Sequence, residues 1–355
     1  MPISLNRNPR MTRHLVTHTR IFQDDPLMIV DVGARWGFNE EWKVFGDALR
    51  IYCFEPDQEE CNRLNASASA NVIYLPYALG AKAGDATLYH TRLSASTGLY
   101  RTNWDYFSRL LNRDNGITEK EEIIRVTTLA DALRSARVDS IDFLKLDVEG
   151  AELDVLRGGA PYVESGRLIG VLSEFRFHEE INGSPPFWQL DAHLQRYGFR
   201  LYDMHFSHQS RRILPYEGLA DYRLPNGERF FAYTVNGQIM DGDALYFRDL
   251  LVPANSAIRR AITPVQLLKT ACLLEVYALN DCAAEIIGEH RERLAPLVDC
   301  DQLLDLLTPP FKGQEVNYKA YLDAYFEQPL IDVKKVVVPP LRGIRDFFRR
   351  AIRRF

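Results

Sequence analysis

Apolar positions along this chain change period several times, and each change marks an element. Met28 to Val30 and Ile51 to Phe54 are short apolar runs, each closed by an acid, Asp31 and Glu55, with a charged amphipathic segment of helix length, about 39–49, between them. That is the pattern of a strand-helix-strand crossover in a parallel sheet. From Asp57 to Ala70 the period is helical, with Asp57 placed to cap its start. Asn71 to Gly80 reads as a third strand ending in a small-residue turn. Gly84 to His90 alternates like a strand, and Ile123 to Val126 supplies a partner for it. The long insertion between them, with Ser94-Ala-Ser-Thr-Gly98 and Trp104-Asp-Tyr-Phe107, reads either as a lid or as a surface excursion.

Further on, Ile141 to Leu146 is a buried strand, followed by a helix from about Ala151 to Leu156 that stops at Gly158-Gly159. Leu168 to His178 predicts a fifth strand and Pro186 to Tyr197 a helix. Gly198 to Met204, Arg229 to Val235 and Asp243 to Asp249 read as strands that complete the sheet. Past Val252 the texture turns helical, over Thr263 to Ala295 and Asp299 to Leu307. The alternation predicts a doubly wound α/β fold. It divides into an arm over 1–26, the α/β domain over 27–250, a helical appendix over 251–333 and a basic tail over 334–355.

Composition adds little to the fold and more to the tail. Hydrophobic residues make up 46% and charged residues 26%, which is ordinary for a globular protein. The net charge of −5 is unevenly spread: eight Lys or Arg and one acid in 334–355 give the tail +7 and leave −12 for the rest. The main body is therefore expected to avoid nucleic acid. Leu341, Ile344, Phe348, Ile352 and Phe355 form one apolar stripe among arginines. Two readings stand for 336–355: a helix lying on an anionic membrane, or one docked on a partner or on the chain's own body. The five cysteines show no Cys-x-x-Cys pairing, so reduced thiols in a cytoplasmic protein are expected. No apolar run follows the N-terminal arginines, and none elsewhere reaches the length that spans a bilayer.

The candidate chemistry sits at strand ends. Gly33 and Gly37, after the first strand, permit a sharp turn and leave room for a ligand. Glu55 ends the second strand about twenty residues on, where a carboxylate takes both hydroxyls of a ribose. The Gly-x-Gly-x-x-Gly of dinucleotide sites is absent, and the acid Asp31 before the loop suits a cationic ligand better than a phosphate. S-adenosylmethionine, with its ribose, ammonium and sulfonium, meets those requirements. Ala78 and Leu79 would border its adenine. Lys145 and Asp147 fall on one side of the fourth strand, which in a doubly wound sheet lies beside the first, where strand order reverses.

Taken together, Ile29-Val-Asp-Val-Gly-Ala34 with Gly37, Phe54-Glu-Pro-Asp57, Ala78-Leu-Gly80, Val126-Thr-Thr-Leu129, Asp142-Phe-Leu-Lys-Leu-Asp-Val-Glu-Gly-Ala-Glu152, Val155-Leu-Arg-Gly-Gly159 and Glu174 resemble the FkbM-type S-adenosylmethionine-dependent methyltransferases. The resemblance covers roughly residues 27–205, and its Lys-x-Asp-x-Glu-Gly-x-Glu run is the most specific part. It implies a Rossmann-like, seven-stranded class I methyltransferase sheet with helices on both faces. The implied cofactor is S-adenosylmethionine, and the implied acceptor is a hydroxyl of a sugar, glycan or secondary metabolite. Arg35, where the family usually carries a smaller polar residue, and Ala130, where it commonly carries Leu, depart from the pattern.

On this reading Asp31, Gly33, Ala34, Arg35, Gly37, Glu55, Pro56, Asp57, Ala78, Leu79 and Asp147 hold the cofactor. Lys145, Asp147, Glu149, Glu174 and His178 are the candidate catalytic residues, with His178 the simplest base near neutral pH. A metal-free site is expected ahead of one in which the carboxylates hold a divalent cation. The rival function is a catalytically weak scaffold, recruited through the appendix and tail to a membrane-bound glycan assembly complex. Oligomeric state is not legible in the sequence.

Overall fold

Near-continuous apolar stretches become the centre of the sheet, because a strand covered on both faces has no solvent side to keep polar. In the computed structural model, which describes residues 3–327 apart from 220–221, 224–226, 228 and 231–232, these are β1 (Leu27–Val32), β2 (Leu49–Phe54), β3 (Val72–Leu75), β4 (Phe143–Leu146) and β5 (Gly170–Arg176). With β6 (Phe199–Gln209) and β7 (Gln238–Arg248) they form a seven-stranded sheet in the order β3-β2-β1-β4-β5-β7-β6. β1 to β5 pair in parallel, and β7 runs antiparallel to both of its neighbours. The expected Rossmann-like class I methyltransferase sheet is therefore present. Its order reverses between β1 and β4, which opens a crevice at their carboxyl ends.

Several elements depart from the sequence pattern. The segment expected as a helix over 39–49 is a run of 3₁₀ turns, Glu40–Ala48, broken at Gly46 with φ +51°. The third strand divides at Pro76, which has no N–H to give a ladder. Beyond it Ala78–Leu79 leaves the main sheet and pairs with Thr118–Thr127, which also holds Gly84–Thr91 in a separate three-stranded sheet. Of the strand expected over Arg229 to Val235, Arg229–Phe230 pairs with Tyr222–Arg223 in a separate two-stranded sheet, and residues 231–232 lie outside the described residues. The place expected for it goes to a longer β7. Helix Gln58–Ser67 does start as expected, with Asp57 accepting hydrogen bonds from the Glu59 and Glu60 N–H groups.

Each face of the sheet has its own cover. Val30, Val32, Leu144, Leu146 and Phe175 bury themselves with Leu129, Leu133, Leu153, Leu156, Leu190 and Leu194, from helices Leu129–Ser135, Glu152–Gly158 and Phe187–Arg196. Strand alternation turns Phe143 to the opposite side from Leu144. There its ring lies 6.0 Å from Trp42, 6.2 Å from Phe247 and 5.5 Å from Tyr277. Trp42 Nε1 donates to the Tyr277 hydroxyl at 3.1 Å.

The helical region after Val252 thus covers the second face of the sheet. Helix Pro264–Val276, opened by a Thr263/Gln266 capping box, carries the fully buried Lys269. Its Nζ donates to Asp25 Oδ1 at 2.7 Å, the Pro26 carbonyl at 2.9 Å and Asp142 Oδ2 at 2.8 Å, joining the segments that lead into β1 and β4. Glu275 accepts from the Met11 and Thr12 N–H groups and the Thr12 hydroxyl, which fastens the short helix Arg10–His14. Helices Asn280–Glu289 and Cys300–Leu307 complete one compact unit that runs to Leu307. The second unit begins at Thr308. It contains helix Tyr318–Phe326, capped by Asn317, with Phe311 and Tyr321 ring-to-edge at 5.9 Å. The basic amphipathic tail lies outside the described residues. Among those described, no helix is long and apolar enough to cross a membrane.

Removing Lys269 would leave Asp142 buried without its ammonium partner. Lys269→Ala is expected to lower unfolding stability by about 3–5 kcal/mol in a urea titration, and the double variant with Asp142→Asn by less. Equal losses in the two variants would refute the pairing.

Candidate active site

The crevice at the switch point is a cavity of about 700 Å³ whose wall divides into two chemical regions. The first comes from the loop after β1 and the end of β2: Gly33, Arg35, Trp36, Gly37, Glu55 and Pro56, joined by Ala78 and Leu79. Gly33 has φ +92°, and a Cβ there would stand 1.8 Å from the Asp147 carbonyl oxygen, so its smallness serves the contact between the two loops. Gly37, at φ +113°, has its nearest neighbour, the Tyr74 hydroxyl, 3.8 Å from a notional Cβ; it supplies the turn and the open space. Glu55 is 3% exposed and reaches the cavity. Its Oε1 accepts from the Asp57 N–H at 2.9 Å, and no hydrogen bond to Oε2 is present among the described residues. Burial pushes its pKa up, against the Asp57 N–H and Arg35.

Three expected cofactor residues stand elsewhere or act at one remove. Ala34 is buried behind the loop, and Asp57 is the helix cap, 3.6 Å from Arg35. Asp31 is fully buried and off the cavity wall, and its Oδ1 accepts from Lys145 Nζ at 3.1 Å. Arg35 lines the cavity and faces Glu55 at 3.8 Å. Lys145 also lines the cavity, 3.4 Å from Asp147 Oδ2. Burial alone would lower the Lys145 pKa, but Asp31 and Asp147 outweigh it and keep the ammonium charged. Lys145 is therefore a fixed positive charge and an unsuitable base.

The second region is acidic, and its members come from register. Glu174 on β5 pairs with Asp243 on β7, and Asp243 with His205 on β6, so the three lie in one row across the sheet. Asp147 follows β4 at the head of that row. Glu149 sits in the left-handed region at φ 55°, in the turn between β4 and helix Glu152–Gly158. Glu152 Oε1 holds that turn by accepting from the Val148 and Gly150 N–H groups, both at 3.1 Å. Arg176, 7% exposed, donates to Glu149 Oε2 at 2.5 Å and to Glu174 Oε2 at 3.1 Å, and lies 3.8 Å from Glu180.

Burial pushes the Glu149 carboxyl up to about 8 against the pull of Arg176, with Asp147 and Glu152 adding to the rise. Glu174 is raised well above the usual range by burial, again opposed by Arg176. Burial likewise raises Glu180 to about 8.

Lys145, Asp147, Glu149 and Glu174, all expected from the sequence, line one cavity. The structure places His178 elsewhere, because β5 ends at Arg176. The His178 ring stacks on Tyr106 at 5.8 Å, and its Nε2 lies 2.8 Å from the Ile239 carbonyl and 2.9 Å from Gln238 Nε2, off the cavity wall. The histidine that does reach the cavity is His205, whose buried Nδ1 lies 3.7 Å from Asp243 Oδ2. Neither His205, Asp243, Arg176 nor Glu180 belongs to a local motif; strand register was the available signal for the first three, and Glu180, past the end of β5, had none. The insertion also lines the site: Gly98 packs on Glu149, and the Asn103 N–H donates to the Glu180 carbonyl at 2.8 Å.

Residues 31–201 match the family described as Methyltransferase FkbM domain. None of the curated proteins compared matches the chain. Among solved structures it is similar to the fibrillarin/Nop5p complex, at 12% identity over 63% of this chain and 73% of that one, with TM-score 0.29. It is also similar to a SAM dependent methyltransferase from Aquifex aeolicus, at 13% identity over 68% and 99%, with TM-score 0.26. A third, 23S rRNA methyltransferase ErmE, gives 10% identity over 86% and 98%, with TM-score 0.25. The fold assignment itself rests on the strand order.

Glu180 gives the site a pH signature. Its folded pKa of about 8 stands above its ordinary 4.5, so the native state holds the proton more tightly. That contribution to stability is complete below the ordinary value and is lost as pH rises through about 8. Relative to wild type, Glu180→Gln should gain stability between pH 5 and 9, on the order of a few kcal/mol in urea titrations. Parallel pH profiles would show that Glu180 ionises freely.

Proposed function

Residues 31–201 being a methyltransferase FkbM domain, whose cofactor is S-adenosylmethionine, we propose that this protein methylates a hydroxyl of a sugar, glycan or secondary metabolite. The observation that carries the reading is the single cavity in which the Gly33–Glu55 wall and the acidic wall meet at Lys145 and Asp147. Glu55 fits the ribose, since among the described residues no hydrogen bond occupies its Oε2. Gly37 leaves the loop open, and Ala78 and Leu79 give the adenine a small apolar border. Bound S-adenosylmethionine supplies a methyl group on a sulfonium, activated for in-line displacement.

The rest belongs to the chain. Positioning supplies much of the rate of such a displacement, and a wall of carboxylates accepting hydrogen bonds suits an acceptor rich in hydroxyls. His205 takes the acceptor proton, with Asp243 beside Nδ1 to steady the imidazolium that forms. Lys145 holds Asp147 at the boundary between the two regions. Arg176 keeps Glu149 and Glu174 in place. An RNA acceptor, as the name of the rRNA methyltransferase describes for that enzyme, fits poorly against so many carboxylates. The assembled site favours an enzyme over a scaffold.

Calorimetry with S-adenosylmethionine and transfer of its labelled methyl group to a panel of hydroxylated glycans test this. Glu55→Ala should weaken cofactor binding roughly 10- to 100-fold, the worth of a charge-assisted hydrogen bond. His205→Asn should lower kcat by about 100-fold or more with cofactor affinity unchanged. Unaltered cofactor affinity in Glu55→Ala would sink the assignment of the ribose site.

A further inference from the structure

Resting on the methyl-transfer reading, we infer that Asp147, Glu149 and Glu174 form a binding site for a hard divalent cation, of the magnesium or manganese class, at the acceptor end of the cavity. One carboxylate oxygen from each of the three lies within 4.8 Å of the others. Oxygens that share an octahedral cation of this class stand about 3–4 Å apart, so small side-chain rotations close the set. The three come from fixed backbone: Asp147 directly follows β4, Glu174 lies within β5, and Glu149 is set by the turn that Glu152 holds. Their side chains are 45%, 18% and 17% exposed, open enough on the cavity side for an ion and its waters.

Arg176 does not fill this site. It takes Glu149 Oε2 and bonds the Glu174 oxygens at 3.1 and 3.3 Å, leaving Glu149 Oε1 free of it. A carboxylate oxygen has two acceptor directions, so a guanidinium bond leaves room for a metal on the same group.

A second, independent observation points to a missing positive charge. The Glu180 side chain is 5% exposed and lies on the same cavity wall; among the described residues neither of its oxygens has a hydrogen-bond partner, and its ion pair with Arg176 is long, at 3.8 Å. A buried carboxylate is normally paired or fully hydrogen-bonded. Around it the wall sets Asp147, Glu149, Glu174, Asp241 and Asp243 against Lys145 and Arg176. A small doubly charged ion suits converging oxygens better than an alkylammonium does, because an ammonium needs each acceptor along a separate N–H direction.

The cation would act as a Lewis acid on the acceptor hydroxyl. The O–H proton leaves to His205, and the oxygen lone pair forms the new bond to the methyl carbon. The bond from that carbon to sulfur breaks with its electron pair on sulfur. The products are a methyl ether, S-adenosylhomocysteine and a protonated histidine that returns its proton to water.

Manganese titration of the full chain, read by electron paramagnetic resonance, tests the inference. The expected result is one manganese ion per chain, displaced by magnesium. Affinity should fall roughly tenfold or more in each of Asp147→Asn, Glu149→Gln and Glu174→Gln. Melting temperature and calorimetric S-adenosylmethionine binding identify which variants are folded, and one folded variant suffices. No saturable uptake by the wild type, or undiminished uptake in a folded variant, overturns the site. So does saturable binding of a diamine at these residues without manganese uptake, which would make them an ammonium site. Cofactor calorimetry on the same samples separates the two readings: manganese uptake without S-adenosylmethionine binding would retain the cation site and remove the methyl-transfer assignment.

Discussion

A partly buried lysine, Lys145, organises the carboxyl edge of the sheet. Asp31, wholly enclosed on the central strand, is a charge that such an interior tolerates only with a partner, and Lys145 on the adjacent strand is that partner. The pair is cross-strand and in register, so it locks β1 against β4 at the point where strand order reverses. Asp147, two residues along, is then carried to the crevice. Its carbonyl presses so close to Gly33 that a methyl group would not fit between them. The loop after β1 and the turn that bears the acids are therefore packed directly against each other.

Arg176 is the second such pivot, with a different balance. Lys145 has two acids for its one charge, whereas Arg176 faces Glu149, Glu174 and Glu180 together. The first arrangement gives a stable ammonium. The second leaves carboxyls whose burial outweighs their single counter-charge, as the raised pKa values of Glu149 and Glu180 express. The surroundings of Lys145 and of Arg176 in one cavity thus differ in character: the first charge is matched by its neighbours, the second is outnumbered by them.

The parts of the site carried by local pattern were legible in the sequence. Gly33, Gly37, Glu55 and the Lys145 to Glu152 run each announce a strand end or turn by residue type and spacing, and each reaches the expected place. The parts carried by register were not. His205 and Asp243 meet across two antiparallel strands, and nothing within either strand marks them. His178 continues the apolar alternation of the strand before it, but the chain turns off after Arg176 and carries its ring away from the cavity. Pro76 likewise divides a segment that apolar content alone reads as one strand. The helices after Val252 were legible as helices, but not as the cover of the sheet, because Lys269 finds its partners only in three dimensions.

That cover has a consequence for how the chain is made. Lys269 meets Asp25 across 244 residues, and Tyr277 packs on Phe143 of the central sheet. During synthesis β1 to β4 emerge about a hundred residues or more before the helix that shields one of their faces, at rates of about 5–20 residues per second. For that interval the nascent sheet has an apolar side bare to its surroundings, and closing it requires a long-range contact of the kind that forms slowly. A chain cut before that helix would keep this apolar face bare, independently of how stable the finished protein is.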